Sequence, residues 1–111
     1  MNQTIYNIDL QAFRTPTAKV FTGRPRGRKV RELSRIDELE PQYDKITVTI
    51  PSDISSINPS FLEELLQNVI LKLGEAGFNE KFSFVNEGNY KIAVDLQEAI
   101  ERILREENAL S

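Results

Sequence analysis

The feature that most constrains this chain is a strand followed closely by a long amphipathic helix. Residues 45–50, Lys-Ile-Thr-Val-Thr-Ile, alternate polar and apolar side chains, are mostly β-branched and stop at Pro51. From residue 62 to residue 73, apolar residues recur with the 3.6-residue period of one buried helix face. The sequence therefore predicts a central strand–helix unit. Its predicted core comprises Ile46, Val48, Ile50, Leu62, Leu65, Leu66 and Val69.

The start of this helix has two interpretations. Asn58 and Pro59 suit the N-cap and the first helical position, because proline has no N–H to leave unpaired there. Ser60 also matches the first position of a capping box. The helix is predicted to end at one of two glycines, Gly74 or Gly77.

The remaining elements are shorter. Alternation predicts strands over residues 5–10, 19–22 and 81–85, and the glycine and proline content of residues 23–28 predicts a loop. Apolar residues at every third position, with Pro41 after them, predict a helix over residues 28–39. A last helix begins near Tyr90 or Asp95, and residues 107–111 are expected to fray.

The resulting order, β-β-α-β-α-β-α, predicts a single α/β domain over residues 1–111. A strand, helix and strand in succession imply right-handed parallel crossovers. The expected architecture is a small sandwich, in which a four-stranded mixed sheet carries helices mainly on one face.

Composition excludes several classes of function. The chain has no Cys, His or Trp, so disulfides, thiolate zinc sites, cysteine nucleophiles and histidine-based triads are excluded. No apolar run approaches the roughly 20 residues of a membrane span. The first residues lack the features of a signal peptide. We therefore expect a cytoplasmic protein that is not an enzyme, does not bind membranes and has neither a cofactor nor a metal.

The charges are distributed unevenly. Residues 1–35 contain eight Lys or Arg against two Asp or Glu, whereas residues 36–111 contain six against fifteen. Nucleic-acid or phosphate binding is one interpretation of the basic segment 24–35, in which Gly23 and Gly27 allow close backbone approach. We favour pairing within the protein, for example of Arg28 with Glu32, or docking on an acidic partner. The candidate basic residues are Arg24, Arg26, Arg28, Arg31 and Arg35. The predicted solvated acidic positions are Glu63, Glu64, Glu98, Glu101, Glu106 and Glu107.

The segment 52–60 is the second candidate site. It follows the carboxyl end of the central strand, where ligands commonly bind in open α/β sheets. A serine at a helix N-terminus suits a phosphate, because the helix dipole favours negative charge there. The alternatives are a capping role for Ser60 and a solvated loop before it. The candidate residues are Asp53, Ser56, Asn58, Ser60 and Phe61.

Three sequence segments carry a resemblance to a known family. They are Phe-Thr-Gly-Arg-Pro-Arg-Gly-Arg at 21–28, the path from the strand at 46–50 to Pro-Ser-Phe-Leu-Glu-Glu-Leu at 59–65, and Leu-Gly at 73–74 before Phe78. In this order the chain resembles the prokaryotic STAS-like domain family of unknown function, over roughly residues 18–105. That family is related to the anti-sigma-factor-antagonist STAS domains.

The resemblance implies a regulatory module that binds a protein. In anti-sigma antagonists an Asp-Ser-Ser-Gly sequence begins the corresponding helix, and a partner kinase phosphorylates its second serine. Residues 58–61 align with this motif, and only Ser60 matches in type. The implied partner is a histidine-kinase-like ATPase that binds the 52–60 loop and the start of the 59–73 helix. Phosphorylation of Ser60 would then regulate that binding.

Overall fold

A computed structural model describes residues 3–110, apart from the side chains of residues 107–110. In this part of the chain the strands are β1 (Ile5–Asp9), β2 (Val20–Phe21), β3 (Lys45–Ile50), β4 (Ser56–Ile57) and β5 (Phe82–Asn86). The α-helices are α1 (Arg24–Ser34), α2 (Ile36–Leu39), α3 (Pro59–Lys81) and α4 (Ala93–Leu110). Short 3-10 helices cover Leu10–Phe13 and Glu40–Gln42.

The strands form two separate parallel sheets. The larger sheet has the order β1-β3-β5, with Val48 opposite both Ile8 and Phe84. The smaller sheet pairs β2 with β4, where Phe21 lies opposite Ile57. The predicted α/β class is therefore confirmed, but the predicted four-stranded mixed sheet is not. Strand β4 lies in a segment predicted to be a loop, and it is the strand that pairs with β2.

The larger sheet has one buried and one exposed face. Ile46, Val48 and Ile50 are buried in a common core with the apolar side of α3, as the sequence predicted. On the opposite face Asn7 and Ser83 are exposed. The neighbours of α3 along its length are α1 and α4. The molecule is therefore an α/β domain in which the second face of the larger sheet is exposed.

Helix α1 differs from its prediction at both ends. It begins at Arg24 inside the predicted loop, with Gly23 as N-cap at φ 88° and Pro25 in the first turn, where a missing N–H costs nothing. It ends at Ser34, because Arg35 adopts the left-handed conformation at φ 57° and separates α1 from α2. Leu33, in the last turn of α1, is 59% exposed.

Helix α3 continues beyond both predicted ends, Gly74 and Gly77, and is interrupted at Gly74. Asn58 is the N-cap, which confirms the first interpretation of the start and contradicts the capping box. Gly74 has non-helical angles, φ 74° and ψ 170°, and the helix resumes after it as far as Lys81. A glycine is required at this kink, because other residues rarely adopt a positive φ.

Helix α4 completes the domain. Its residues Ala99, Ile100 and Ile103 are buried in the core. The predicted fraying concerns residues 107–111, whose side chains lie outside the described part of the structure. Among the helices described, none is both long and apolar enough to span a membrane.

Candidate functional site

The segment 52–60 lies where the carboxyl ends of the parallel strands meet. Strand β3 ends at Ile50 and β5 ends at Asn86, and the Glu87 amide donates to the Ile50 carbonyl at 3.1 Å. Strand β4 ends at Ile57, directly before the cap of α3. The edge of the sheet and the first turn of α3 therefore form one continuous polar surface, which we call the carboxyl edge (residues 52–60 with 86–90).

Asn58 and Ser60 hold the start of α3. The Asn58 Oδ1 accepts from the Ser60 backbone N–H at 2.9 Å and from the Ser60 hydroxyl at 2.5 Å. The Asn58 N–H donates to the Phe21 carbonyl at 2.8 Å, so this cap is joined to β2. Ser60 is half-buried and Asn58 is exposed. Ser60 thus lies in the first turn of α3 with its hydroxyl directed at the cap residue.

Asp53 forms an ion pair with a residue that the sequence analysis did not select. Its carboxylate accepts from Arg14 at 2.7 and 3.0 Å, in a two-point contact. The hydrogen bond from Arg14 holds the pKa of the Asp53 carboxyl below its ordinary value. The same guanidinium donates to the Ala18 carbonyl. Asp53 therefore ties the loop after β3 to the segment before β2, while the nearby Ser56 side chain is exposed.

Phe61 is a core residue and not part of the exposed surface. It is 0% exposed and its ring lies 5.1 Å from that of Phe21. This corrects its assignment as a partner-binding candidate. The physical reason is its position on the helix. Ser60 lies on the side of α3 that faces the surface, whereas Phe61, the next residue, lies on the side that faces the interior.

Tyr90 and Gly88 support the carboxyl edge from the loop after β5. The Tyr90 hydroxyl lies 3.1 Å from the Ile57 carbonyl and 2.5 Å from the Asp95 carboxylate. Burial, together with the hydrogen bond to the Asp95 carboxylate, raises the pKa of the Tyr90 phenol above its ordinary value. A Cβ at Gly88 would overlap the Ser52 carbonyl oxygen. Sequence reasoning missed both residues, since nothing in their local pattern indicates the contact.

The basic segment is largely neutralised within the molecule. Arg24 lies 3.1 Å from the Glu63 carboxylate, and Glu64 accepts contacts from Arg24, Arg28 and Arg31 at 3.4 to 3.7 Å. Arg31 also donates to the Glu64 carbonyl at 2.6 Å. The attraction of Glu63 raises the pKa of the Arg24 guanidinium. The predicted internal pairing is thus found, although with α3 in place of the suggested Arg28–Glu32 pair.

The other two basic candidates lie apart from this group. Arg26 donates to the Phe13 carbonyl at 2.7 Å. Arg35, at the break after α1, pairs with Glu38 at 2.7 Å and lies outside the helix that carries Arg28 and Arg31. The predicted basic surface is therefore divided among three parts of the fold.

Two acidic positions predicted to be solvated are also corrected. Glu63 has 4% of its side chain exposed and bridges Arg24 of α1 to Arg102 of α4, at 3.1 Å in each case. Glu64 is half-buried beside the α1 arginines. The other positions on α4 with a described side chain, Glu98, Glu101 and Glu106, are exposed as predicted. The Glu107 side chain lies outside the described residues.

The described residues offer few other sites. Among the side chains that the structure describes, no group of three or more potential ligands is arranged to hold a metal ion. A shallow depression along α4, lined by Ala93, Val94 and Gln97 among others, lies on its exposed side.

Comparisons with known proteins gave no matching family model, no similar curated protein and no similar solved structure.

Proposed function

We propose that this chain is a non-enzymatic regulatory module that binds a protein partner through the carboxyl edge. The observation that carries the proposal is the position of Ser60. Its hydroxyl lies at the surface in the first turn of α3, beside the exposed Asn58 and Ser56. This surface is polar and is held by contacts from three other segments, so a partner meets a preformed shape.

Phosphorylation of Ser60 is a chemically reasonable means of regulation at this position. A phosphate there adds about −1.5 to −2 charges next to the positive end of the α3 dipole. It also removes the hydroxyl proton that Ser60 donates to Asn58 Oδ1, so two groups of acceptor oxygens then face each other. The Asn58 side chain must turn its amide or move, and the surface offered to the partner changes.

The resemblance to STAS-like domains supports the same proposal by analogy. It favours a histidine-kinase-like ATPase as the partner and as the kinase. Fold analogy alone does not assign a function, so the proposal depends on the surface around Ser60. The alternative, binding of nucleic acid or phosphate by segment 24–35, is disfavoured because Arg24, Arg28 and Arg31 already pair with Glu63 and Glu64.

The test is affinity capture from the native cell with the wild-type chain, followed by binding measurements on the captured protein. We expect Ser60→Asp to change the affinity by at least about tenfold, because a charge placed in a binding surface contributes at least about 1.4 kcal/mol. Asn79→Asp is the matched control, since Asn79 is exposed at the other end of α3. Its affinity should equal that of the wild type.

Two results would contradict this proposal, one for the role of Ser60 and one for the binding surface. Equal binding by Ser60→Asp, Ser60→Ala and the wild type, with no phosphorylated species in the native protein, would leave Ser60 as a structural residue only. Equal binding by a variant of the loop itself, Ser56→Lys, would show that the partner does not touch the carboxyl edge at all.

A further inference from the structure

The segment that joins β1 to β2 has little buried surface. We call its residues 11–18 the strap. Five of them are exposed, and Phe13, Arg14 and Ala18 are half-buried. A stretch with few buried apolar contacts opens at a lower free energy than the core, so it can open while the rest of the molecule stays folded. The strap is therefore the part of the fold in which local opening is expected.

The two ends of the strap are fixed. At the first end the Gln11 N–H donates to the Asp9 Oδ1 at 3.0 Å. Just beyond the second end the Lys19 carbonyl accepts from the Ser55 N–H at 2.7 Å and from the Ser55 hydroxyl at 3.1 Å. The residues between these two points can therefore move without a change in the pairing of β1 or β2.

One side chain connects the strap to the carboxyl edge. Arg14 has 9% of its side chain exposed and donates to both Asp53 carboxylate oxygens, at 2.7 and 3.0 Å. It also donates to the Ala18 carbonyl, within the strap itself. From α1, Arg26 donates to the Phe13 carbonyl at 2.7 Å. Because two-point contacts between charged groups are the stronger ones, the contact with Asp53 should contribute most to holding the strap.

The closed strap also contains a strained residue. Thr17 has φ 68°, in the left-handed region that β-branched residues rarely adopt. Such conformations persist where the surrounding contacts impose them. Here the next residue is held twice, because the Ala18 N–H donates to the Thr15 carbonyl at 3.0 Å and Arg14 binds the Ala18 carbonyl. Release of Arg14 therefore also releases the strain at Thr17, which favours the open strap.

We propose that the strap is a conformational latch, which opens as one unit between Asp9 and Lys19 and which the contact between Arg14 and Asp53 holds closed. Asp53 is the only charged residue of segment 52–60. While the strap is closed, Arg14 neutralises this carboxylate, and when the strap is open the segment presents a free negative charge. The effect of this charge on a partner rests on the proposed function, whereas the latch itself does not.

Trypsin cleavage after Arg14 measures the open strap. In the closed strap this side chain is nearly buried and bound to Asp53, so the protease reaches it only after opening. Cleavage after Lys45 is the internal reference, because it requires the central strand β3 to leave the core. We expect cleavage after Arg14 in the wild-type chain to be at least about tenfold faster and nearly independent of urea below the unfolding transition.

Two variants separate the latch from a general loss of stability. Asp53→Asn removes the charge that Arg14 binds, so cleavage after Arg14 should accelerate at least about tenfold. Val69→Ala is the matched control, since Val69 is a buried residue of α3. It destabilises the open and the closed strap equally, so it should accelerate cleavage after Lys45 but not after Arg14. Unchanged cleavage after Arg14 in Asp53→Asn, or equal acceleration at both sites in Val69→Ala, would overturn the proposal.

Amide hydrogen exchange tests the same opening without a protease. The Ala18 N–H, bound to the Thr15 carbonyl in the closed strap, should exchange through an opening that does not depend on urea. The Val48 N–H, in the middle of β3, should exchange only through global unfolding. Equal free energies of exchange at the two amides would show that the strap and the core open together, which contradicts the latch.

Discussion

Gly27 shows how one missing side chain sets the distance between two helices. A Cβ at this position would lie 2.5 Å from the Phe61 carbonyl oxygen and 2.8 Å from the Glu64 Cβ. Both are closer than van der Waals contact, so α1 and α3 approach to a distance that only glycine permits. The same approach brings the α1 arginines to Glu63 and Glu64. A residue that indicates a loop by its type therefore lies buried inside a helix.

We predict that Gly27→Ala destabilises the protein by about 1–3 kcal/mol, the usual cost of overpacking. The sign is informative, because the same change inside an unconstrained helix stabilises by up to about 1 kcal/mol. Gly77→Ala is the matched control, since its Cβ would meet only the Leu73 Cβ, at 3.3 Å. Denaturant unfolding of both variants measures the difference. A Gly27→Ala protein as stable as the wild type would show that the helices separate at little cost.

One buried carboxylate contacts helix α3 on both sides of its interruption. Glu40 is 2% exposed, and its oxygens contact Lys72 at 2.8 Å and Lys81 at 2.5 Å. Lys72 precedes Gly74 and Lys81 follows it, so Glu40 holds the two halves of α3 in one arrangement. Burial raises the pKa of the Glu40 carboxyl, but the hydrogen bonds and charges of the two lysines outweigh it and leave the pKa lowered.

The lowered pKa of Glu40 predicts a pH-dependent contribution to stability. A carboxyl with a depressed folded-state pKa stabilises above its unfolded value, here 4.5, and this stabilisation is lost as the pH falls through the folded value. We expect Glu40→Gln to cost about 1–3 kcal/mol at neutral pH, because Lys81 stays partly buried without its partner. Below pH 4.5 the difference from the wild type should shrink.

The control for this prediction is Glu38→Gln, which removes the exposed ion pair with Arg35. Its stability at neutral pH should stay close to that of the wild type, since exposed pairs contribute little. Urea unfolding from pH 3 to pH 7 measures all three proteins. A constant difference between Glu40→Gln and the wild type over this range would mean that the charge of Glu40 is unimportant.

At the scale of the whole molecule, basic residues from the first 35 residues form ion pairs with acidic residues from the rest of the chain. The basic residues of α1 contact the acidic start of α3, and Arg102 of α4 joins Glu63. The surface that remains reflects the net charge of −3. A negatively charged molecule in which Arg24, Arg28 and Arg31 are already paired has little attraction for phosphate.

We therefore predict that neither duplex nor single-stranded nucleic acid is retained at low micromolar protein, even at low salt. Replacing Arg28 and Arg31 by Gln should instead lower the stability, while the exposed Lys29→Gln on the same helix should not. A gel shift measures binding. Retention with a log–log salt slope of about −0.9 per phosphate contact, lost in the double variant, would make nucleic-acid binding the better account.

Local sequence patterns determined the helices and strands that are long enough to show a repeat of apolar residues. Residues 45–50 alternate and form β3 with those bounds, and the 3.6-residue repeat after Pro59 forms α3. Strands β2 and β4 have two residues each, which is too short for any pattern. They exist because each is the other's partner, so sequence reasoning gave β2 longer bounds and missed β4.

The same division applies to the candidate site. The sequence alone placed the start of a helix within residues 58–60, because backbone chemistry at a helix end is local, and the structure selected Asn58 as the cap over the capping box at Ser60. Only the tertiary structure decided that Asp53 pairs with Arg14 and that Glu63 is buried between α1 and α4. These partners are 39 residues apart in the sequence for Arg14 and Asp53 and for Glu63 and Arg102. Charges that lie so far apart in a chain carry no mutual signal until packing brings them together, because ion pairing depends on distance in space and not on position along the backbone.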